Sequence, residues 1–358
     1  MADWKSRAEI LGDVVFFRYV HLGLENTCEE VYVWDLDKTY LDTHWGSLRD
    51  LMRTALEKAF QKKNVPGTAT LVAALKNSWI EKTGKDRFPI FFITASPPQI
   101  ESKIKEKLEL DQILPYGSFY KDNLKNVKPS RLWRLTQQVG YKLQALLQLR
   151  TTLKEDVRQV LWGDDSESDA IIYSLYSDIC ARRWTESELR HILKNLRVVG
   201  EQTETILDLQ DQIPSRDPVE KVYINLATDT DPEYYRKFGR RLVPTYNTFQ
   251  TALDLYQDGR LTTEQVLRVG LDMTMNYGFS FDELEQSFDD LIRRRILGAN
   301  TVEKILPALA EHDLISFDFE SSVTPSREVS REGQRVFELE GEHEPWVAEH
   351  IDYLHDYR

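Results

Sequence analysis

The chain has 358 residues, of which 41% are hydrophobic and 29% charged, with a formal net charge of −13. Such a composition is expected of a water-soluble globular protein, long enough for a full α/β domain and a smaller unit. The acidic balance argues against a nucleic-acid partner and against adsorption to an anionic membrane through net charge, and no run of about 18 apolar residues supplies a transmembrane segment.

The N-terminal residues, Met1 to Arg7, lack the basic-then-apolar pattern of a secretion signal, so the expected location is cytoplasmic. Val14 to Val20 reads as a strand at a sheet edge. Val31 to Trp34 is β-branched and aromatic without interruption, the signature of a fully buried strand, and it stops at Asp35-Leu36-Asp37-Lys38-Thr39. Helical spacing follows over Leu48 to Gln61 and Thr68 to Lys82, with Pro66-Gly67 between them and Gly84 as the stop. Phe88 to Ile93 is a second buried strand and closes in Thr94-Ala95-Ser96-Pro97-Pro98. Next come a helix over Gln99 to Leu110, a loop over Tyr116 to Lys128, and a long helix from near Ser130, restarting at Tyr141-Lys142. The third strand, Gln159 to Trp162, ends in Gly163-Asp164-Asp165-Ser166-Glu167-Ser168-Asp169, and a helix runs from Ala170 to Cys180.

Helical sequence occupies Glu186 to Gln212. Two more strands, Val222 to Ala227 and Leu242-Val243, flank a short helix over Pro232 to Phe238. From Thr262 the pattern is helical, with capping boxes at Thr262…Gln265 and Ser280…Glu283, and Gly298 is expected to close a helix from Phe281 to Leu297. Ser316 to Arg358 holds 11 acidic residues and 4 arginines, and reads as partly disordered, with a short docking helix over Trp346 to Tyr357. Cys28 and Cys180 are in no metal-type spacing and are expected as buried free thiols.

Strands and helices alternate, which predicts an α/β fold with a parallel sheet, helices on both faces, and a C-terminal helical extension. The expected division is a domain at 1–258 with a helical insertion at about 186–215, a small helical unit at 259–315, and an acidic tail at 316–358.

Each of the first three strand ends carries polar side chains: Asp35, Asp37 and Thr39, then Thr94, then Asp164 and Asp169. In open α/β sheets the ligand crevice lies beyond the carboxyl ends of the strands. Clustered carboxylates repel one another unless a cation or proton separates them, and a divalent metal does so. These parts suit phosphoryl transfer. A carboxylate can attack phosphorus, a second acid can protonate the leaving oxygen and then deprotonate water, and a hydroxyl and an ammonium can neutralise phosphoryl oxygens.

The sequence resembles the haloacid dehalogenase (HAD) superfamily in Asp35-Leu36-Asp37-Lys38-Thr39, Phe92-Ile93-Thr94, and Gly163-Asp164 with Asp169, which occur in that family's order. Ile93-Thr94-Ala95-Ser96-Pro97-Pro98-Gln99-Ile100 further resembles the Ser-Asn-Ser-Pro-Trp-Gln-Leu pattern of the actin-patch-associated phosphatidate phosphatase family. Tyr141-Lys142-Leu143, in the helix before Gly163-Asp164, matches that family's lysine. Ala95, Pro98 and Asp165 depart from the pattern. The resemblance covers roughly residues 30–255.

It implies a HAD-like Rossmannoid fold and a Mg2+-dependent phosphomonoester hydrolase working through an aspartyl-phosphate. Asp35 is then nucleophile and metal ligand. Asp37 is general acid/base, with its main-chain carbonyl on the metal. Thr94 binds phosphate, Lys142 steadies the phosphoryl group, Asp164 binds the metal and Asp169 supports it. Lys128 is the rival of Lys142. The implied partner is a phosphorylated substrate, a phospholipid such as phosphatidate or another bulky molecule, because no large cap insertion is evident. The helical unit after residue 262 is an alternative lid, and the acidic tail a site for a protein partner. Phosphoprotein hydrolysis, phosphotransfer, and a catalytically silent protein-binding module are the alternatives for the same residues. Asp254 to Gly259 fails as a calcium loop because Tyr256 and Gln265 fall at ligand positions. Arg293 to Arg295 fit a helix C-terminus at least as well as an anion site.

Overall fold

A computed structural model describes residues 4–20, 28–42, 63–122, 138–166, 168–323 and 345–355. The helix expected at Leu48 to Gln61, the start of the helix at Ser130, and Lys128 lie outside these residues. The protein is α/β with a mostly parallel, Rossmann-like sheet. It divides into two compact units: Met1–Lys63, Pro89–Val222 and Ile351–Arg358 form the first, and Asn64–Phe88 and Tyr223–His350 the second.

The first unit holds β1 (Glu9–Leu11), β2 (Val14–Arg18), β3 (Glu30–Asp35), β4 (Ile90–Thr94), β5 (Gly117–Lys121), β6 (Arg158–Asp164) and the start of β7 (Val219–Asn225). They lie in the order β1-β2-β5-β4-β3-β6-β7. The pairs β3–β4, β3–β6 and β4–β5 are parallel, and β1–β2 and β2–β5 antiparallel. Every residue of β3 is buried, as its unbroken apolar run requires for a strand covered on both faces. Register pairs Trp34 with both Phe92 and Trp162, and the two indoles stack at 4.6 Å and 13°. The carboxyl ends of β3, β4 and β6 therefore fall side by side, bringing Asp35, Thr94 and Asp164 to one rim.

Two expectations are corrected here. Val14 to Arg18 is not at the edge, since β1 pairs outside it. Gly117 to Lys121 is a fully buried strand rather than loop, wedged between β2 and β4. Gly117 reads as a breaker, yet the strand demands it: a Cβ there would lie 2.4 Å from the Phe16 ring, which stacks on Phe119 at 4.2 Å.

The helices of the first unit are α2 (Glu101–Leu110), α3 (Val139–Arg150), α4 (Asp169–Cys180), α5 (Glu186–Asn195) and α6 (Gly200–Gln212); α1 (Thr68–Thr83) belongs to the second unit. The single helical stretch expected over Glu186 to Gln212 is thus two helices. Both cysteines are buried and outside any disulfide. Ile351 to Leu354 is not helical. Tyr353 is buried instead, and its hydroxyl donates to Asp178 Oδ2 at 2.7 Å.

The second unit contains α1, the end of β7, β8 (Leu242–Thr245), α7 (Thr248–Gln257), α8 (Thr263–Tyr277), α9 (Phe281–Arg293) and α10 (Ala299–Glu311). Gly84 ends α1 in a left-handed conformation. The Thr262/Gln265 and Ser280/Glu283 capping boxes open α8 and α9 as expected. Helix α9 stops at Arg293, however, and Gly298 is the N-cap of α10 rather than the end of α9. Arg293 and Arg294 both bond Asp290 in the last turn of α9, and Pro232–Phe238 is a 3-10 helix. Among the described residues no helix is long and apolar enough to cross a membrane.

Candidate active site

Asp35 is the last residue of β3, and the chain beyond it folds tightly. Leu36 O accepts from Tyr40 N at 3.1 Å and Leu41 N at 2.8 Å, and Lys38 N donates to Leu41 O at 2.8 Å. Lys38 takes φ +59 in this turn, a left-handed conformation that costs a non-glycine residue about 1–2 kcal/mol. The turn places Asp35 and Asp37 on the same rim with different neighbours. Thr39 Oγ1 donates to Asp35 Oδ2 at 3.4 Å, whereas Thr94 Oγ1 donates to Asp37 Oδ2 at 2.6 Å. Thr94 Oγ1 also accepts from Ser96 N at 3.0 Å.

Lys142 reaches the same place from α3. Its ammonium lies 2.8 Å from Asp35 Oδ1 and 2.5 Å from Asp169 Oδ1, and all three side chains are almost wholly buried. Asp169 opens α4, and its other oxygen accepts from Asp164 N at 3.1 Å, which ties the end of β6 to the helix that follows. This closeness explains the glycine before Asp164. A Cβ on Gly163 would stand 2.3 Å from Asp169 Oδ2 and 2.5 Å from its Cβ.

Asp35, Asp37, Thr94, Lys142, Asp164 and Asp169 are thus all buried at one end of the parallel strands. Carboxylate oxygens of Asp35, Asp164 and Asp169 lie within 4.8 Å of one another. Asp37 is not in that cluster; its carboxylate is engaged by Thr94. Three buried carboxylates are crowded together here, with the Lys142 ammonium beside two of them. Buried like charges are costly to keep ionised unless a cation joins them. The donors are hard oxygens, so the set fits a divalent cation of the Mg2+ type.

Two tyrosines brace this rim, and sequence reading missed both. Tyr141 OH donates to Thr94 O at 2.7 Å and Tyr173 OH to Trp162 O at 2.8 Å. Burial pushes both phenols well above their ordinary range; the Asp13 charge adds to it for Tyr141, and the Asp169 charge for Tyr173. Both therefore stay neutral donors and hold carbonyls at the ends of β4 and β6, that of Thr94 itself and that of Trp162, two residues before Asp164. Tyr141 stands beside Lys142, and helical rotation sends the two neighbours to different targets. Tyr173 is four residues after Asp169, one helical turn on, which is the pattern that could have marked it.

No curated protein and no solved structure matches the chain. Residues 31–185 match the family described as phosphatidate phosphatase APP1, catalytic domain, and the side chains described above for the rim all lie in that stretch. Over those residues the chain resembles this phosphatase catalytic-domain family.

Proposed function

We propose that the chain is a Mg2+-dependent phosphomonoester hydrolase that works through an aspartyl-phosphate on Asp35. One observation carries the reading: Asp35 is clustered with Asp164, Asp169 and Lys142, while Asp37, two residues away, is bonded to a hydroxyl instead. One acid is set among charges that keep it an anion and a nucleophile. The other is bonded by the Thr94 hydroxyl and is suited to carrying a proton.

Asp35, Asp164 and Asp169 would hold the ion, and the resemblance adds the main-chain carbonyl of Asp37. Bound there, Mg2+ supplies positive charge that offsets the carboxylates and the phosphoryl oxygens. An Asp35 carboxylate oxygen attacks phosphorus as the ester P–O bond breaks, and Asp37 gives its proton to the leaving oxygen. Asp37, now a carboxylate, takes a proton from water as the water oxygen attacks phosphorus. The P–O bond to Asp35 breaks, releasing inorganic phosphate and restoring both acids. Lys142 stays charged throughout and screens Asp35 from Asp169.

Thr94 acquires a changing role. Its single hydroxyl proton is donated to Asp37 while Asp37 is ionised. Once Asp37 is protonated, its proton can serve that contact, which releases the Thr94 hydroxyl to donate to a phosphoryl oxygen. The family match points to phosphatidate as the substrate.

Asp35→Asn and Asp37→Asn should each lower hydrolysis of a soluble phosphomonoester by at least about 100-fold, with the melting temperature maintained. Near-normal turnover by Asp35→Asn would overturn the mechanism. Phosphatidate presented in mixed micelles tests the substrate separately. Hydrolysis of soluble esters without release of phosphate from phosphatidate would leave the chemistry standing and remove the lipid.

A further inference from the structure

Two residues at the outer side of the site take no part in these steps. Lys38 is half-buried, and Ser166 is exposed. They join the loop after β3 to the loop after β6, since Lys38 Nζ donates to Ser166 Oγ at 2.9 Å. Ser166 in turn acts twice on one atom. Its backbone N–H donates to Asp164 Oδ1 at 2.6 Å, and its hydroxyl donates to the same oxygen. Two donors from one residue fix the carboxylate's torsion rather than merely neutralise it, and aim the Oδ2 edge away from Ser166.

The chain Lys38–Ser166–Asp164 has a direction. An ammonium only donates, so it must meet a lone pair of the Ser166 oxygen, and the hydroxyl proton is committed to Asp164. Donation into that oxygen polarises the O–H bond and strengthens its hold on the carboxylate. The backbone is shaped around this contact. Lys38 at φ +59 and Ser168 at φ +63 are both left-handed without being glycine, one in each loop. Such conformations persist where the surrounding structure imposes them, and they concentrate at working sites.

We infer that Ser166 is a positioning residue for the divalent cation, orienting Asp164 toward it, and that Lys38 acts through Ser166 by fixing its hydroxyl. This rests on the reading of Asp35, Asp164 and Asp169 as ligands to Mg2+. It assigns the basic side chain between Asp37 and Thr39 to the metal loop, not to the phosphoryl group.

The two possible actions of Lys38 have opposite signs. As a bare positive charge near the ion it would weaken cation binding, and its removal would tighten it. As the anchor of Ser166 it supports binding, and its removal loosens it. Mn2+ binding followed by electron paramagnetic resonance, without substrate, separates them. Ser166→Ala should weaken Mn2+ binding by about 10-fold, the lower end of what loss of an outer partner to a metal ligand does. Ser166→Thr should restore it to within about 3-fold. Lys38→Met should weaken binding by about 3-fold or more. The double variant Lys38→Met/Ser166→Ala should bind no more weakly than Ser166→Ala, since both changes act through one hydroxyl. Wild-type affinity in Ser166→Ala, tighter binding in Lys38→Met, or fully additive losses would overturn the inference. Absence of Mn2+ binding by the unaltered protein would instead remove the metal reading beneath it. Thermal unfolding in the absence of metal is expected to change little for Ser166→Ala, because the side chain is exposed.

Discussion

Gly163 shows how a residue without a side chain helps to build the acidic rim at the strand ends. The Gly-Asp pair ends β6 because Asp169, the first residue of the next helix, folds its carboxylate back onto that strand end, and any Cβ at 163 would meet it. Asp169 is also the partner of Lys142, so the same contact sets the lysine that lies against Asp35. Gly163→Ala should therefore act on catalysis and stability together. Overpacking of this kind costs about 1–3 kcal/mol, and displacement of Asp169 would loosen Lys142 from its position. The expected result is a lower melting temperature and a kcat reduced about 10-fold or more, measured on a soluble phosphomonoester. Retention of both would show that Asp169 is free to move without consequence. Sequence placed Asp35, Asp37, Thr94, Asp164, Asp169 and Lys142 as candidates because each follows or precedes a strand at a readable position. It could not show that Thr94 hydrogen-bonds Asp37, or that Lys142 sits between Asp35 and Asp169, since those relations arise only from packing between strands far apart in the chain.

At the scale of elements, the strands legible in advance were those with apolar runs, β2, β3, β4, β6, β7 and β8. Strand β5 was not, for a physical reason: Gly117-Ser118-Phe119-Tyr120-Lys121 contains a breaker, a polar residue and a charge, yet all five residues are buried. Its identity comes from neighbours on both sides, with β2 pairing antiparallel and β4 parallel. The same dependence hid the start of α10, where Gly298 reads as a stop from the preceding side and serves as an N-cap for the following one. Capping boxes were legible because both partners lie within four residues. Gly117→Ala tests whether β5 needs its glycine. The added methyl would lie 2.4 Å from the Phe16 ring and 2.9 Å from Phe17 O. Phe16 is held by stacking on Phe119, so the ring has little room to yield. The expected loss is about 1–3 kcal/mol in urea unfolding, with kcat close to normal because β5 supplies no side chain to the chemistry. An unchanged midpoint would mean that β2 and β5 can separate locally at no cost.

For the molecule as a whole, buried groups that ionise in base make folding sensitive to high pH. Cys180, at the end of α4, is the clearest of them: burial pushes its thiol from 9.0 up to about 12. Tyr120, Tyr141, Tyr173, Tyr176 and Tyr223 are raised in the same direction, each chiefly by burial. A raised folded-state pKa means that the folded protein keeps its proton where the unfolded chain has lost it. For Cys180 the unfolded thiol ionises near pH 9 while the folded one does not until about pH 12. Its contribution to stability is therefore complete below pH 9 and declines as pH rises between those limits. One such group lowers the unfolding free energy by about 1.4 kcal/mol per pH unit across that window. The tyrosines add to the decline once their unfolded forms begin to ionise near pH 10. Below pH 9 none of these groups discriminates between the folded and unfolded states. Cys180→Ala removes one titrating group but also leaves a small cavity, so its unfolding free energy should be lower at pH 8. Its fall from pH 9 to pH 10 should nevertheless be shallower than that of the unaltered protein by about 1 kcal/mol. Urea unfolding at pH 8, 9 and 10 measures both effects, and equal slopes for the two proteins would show that the thiol ionises inside the folded state as readily as outside it.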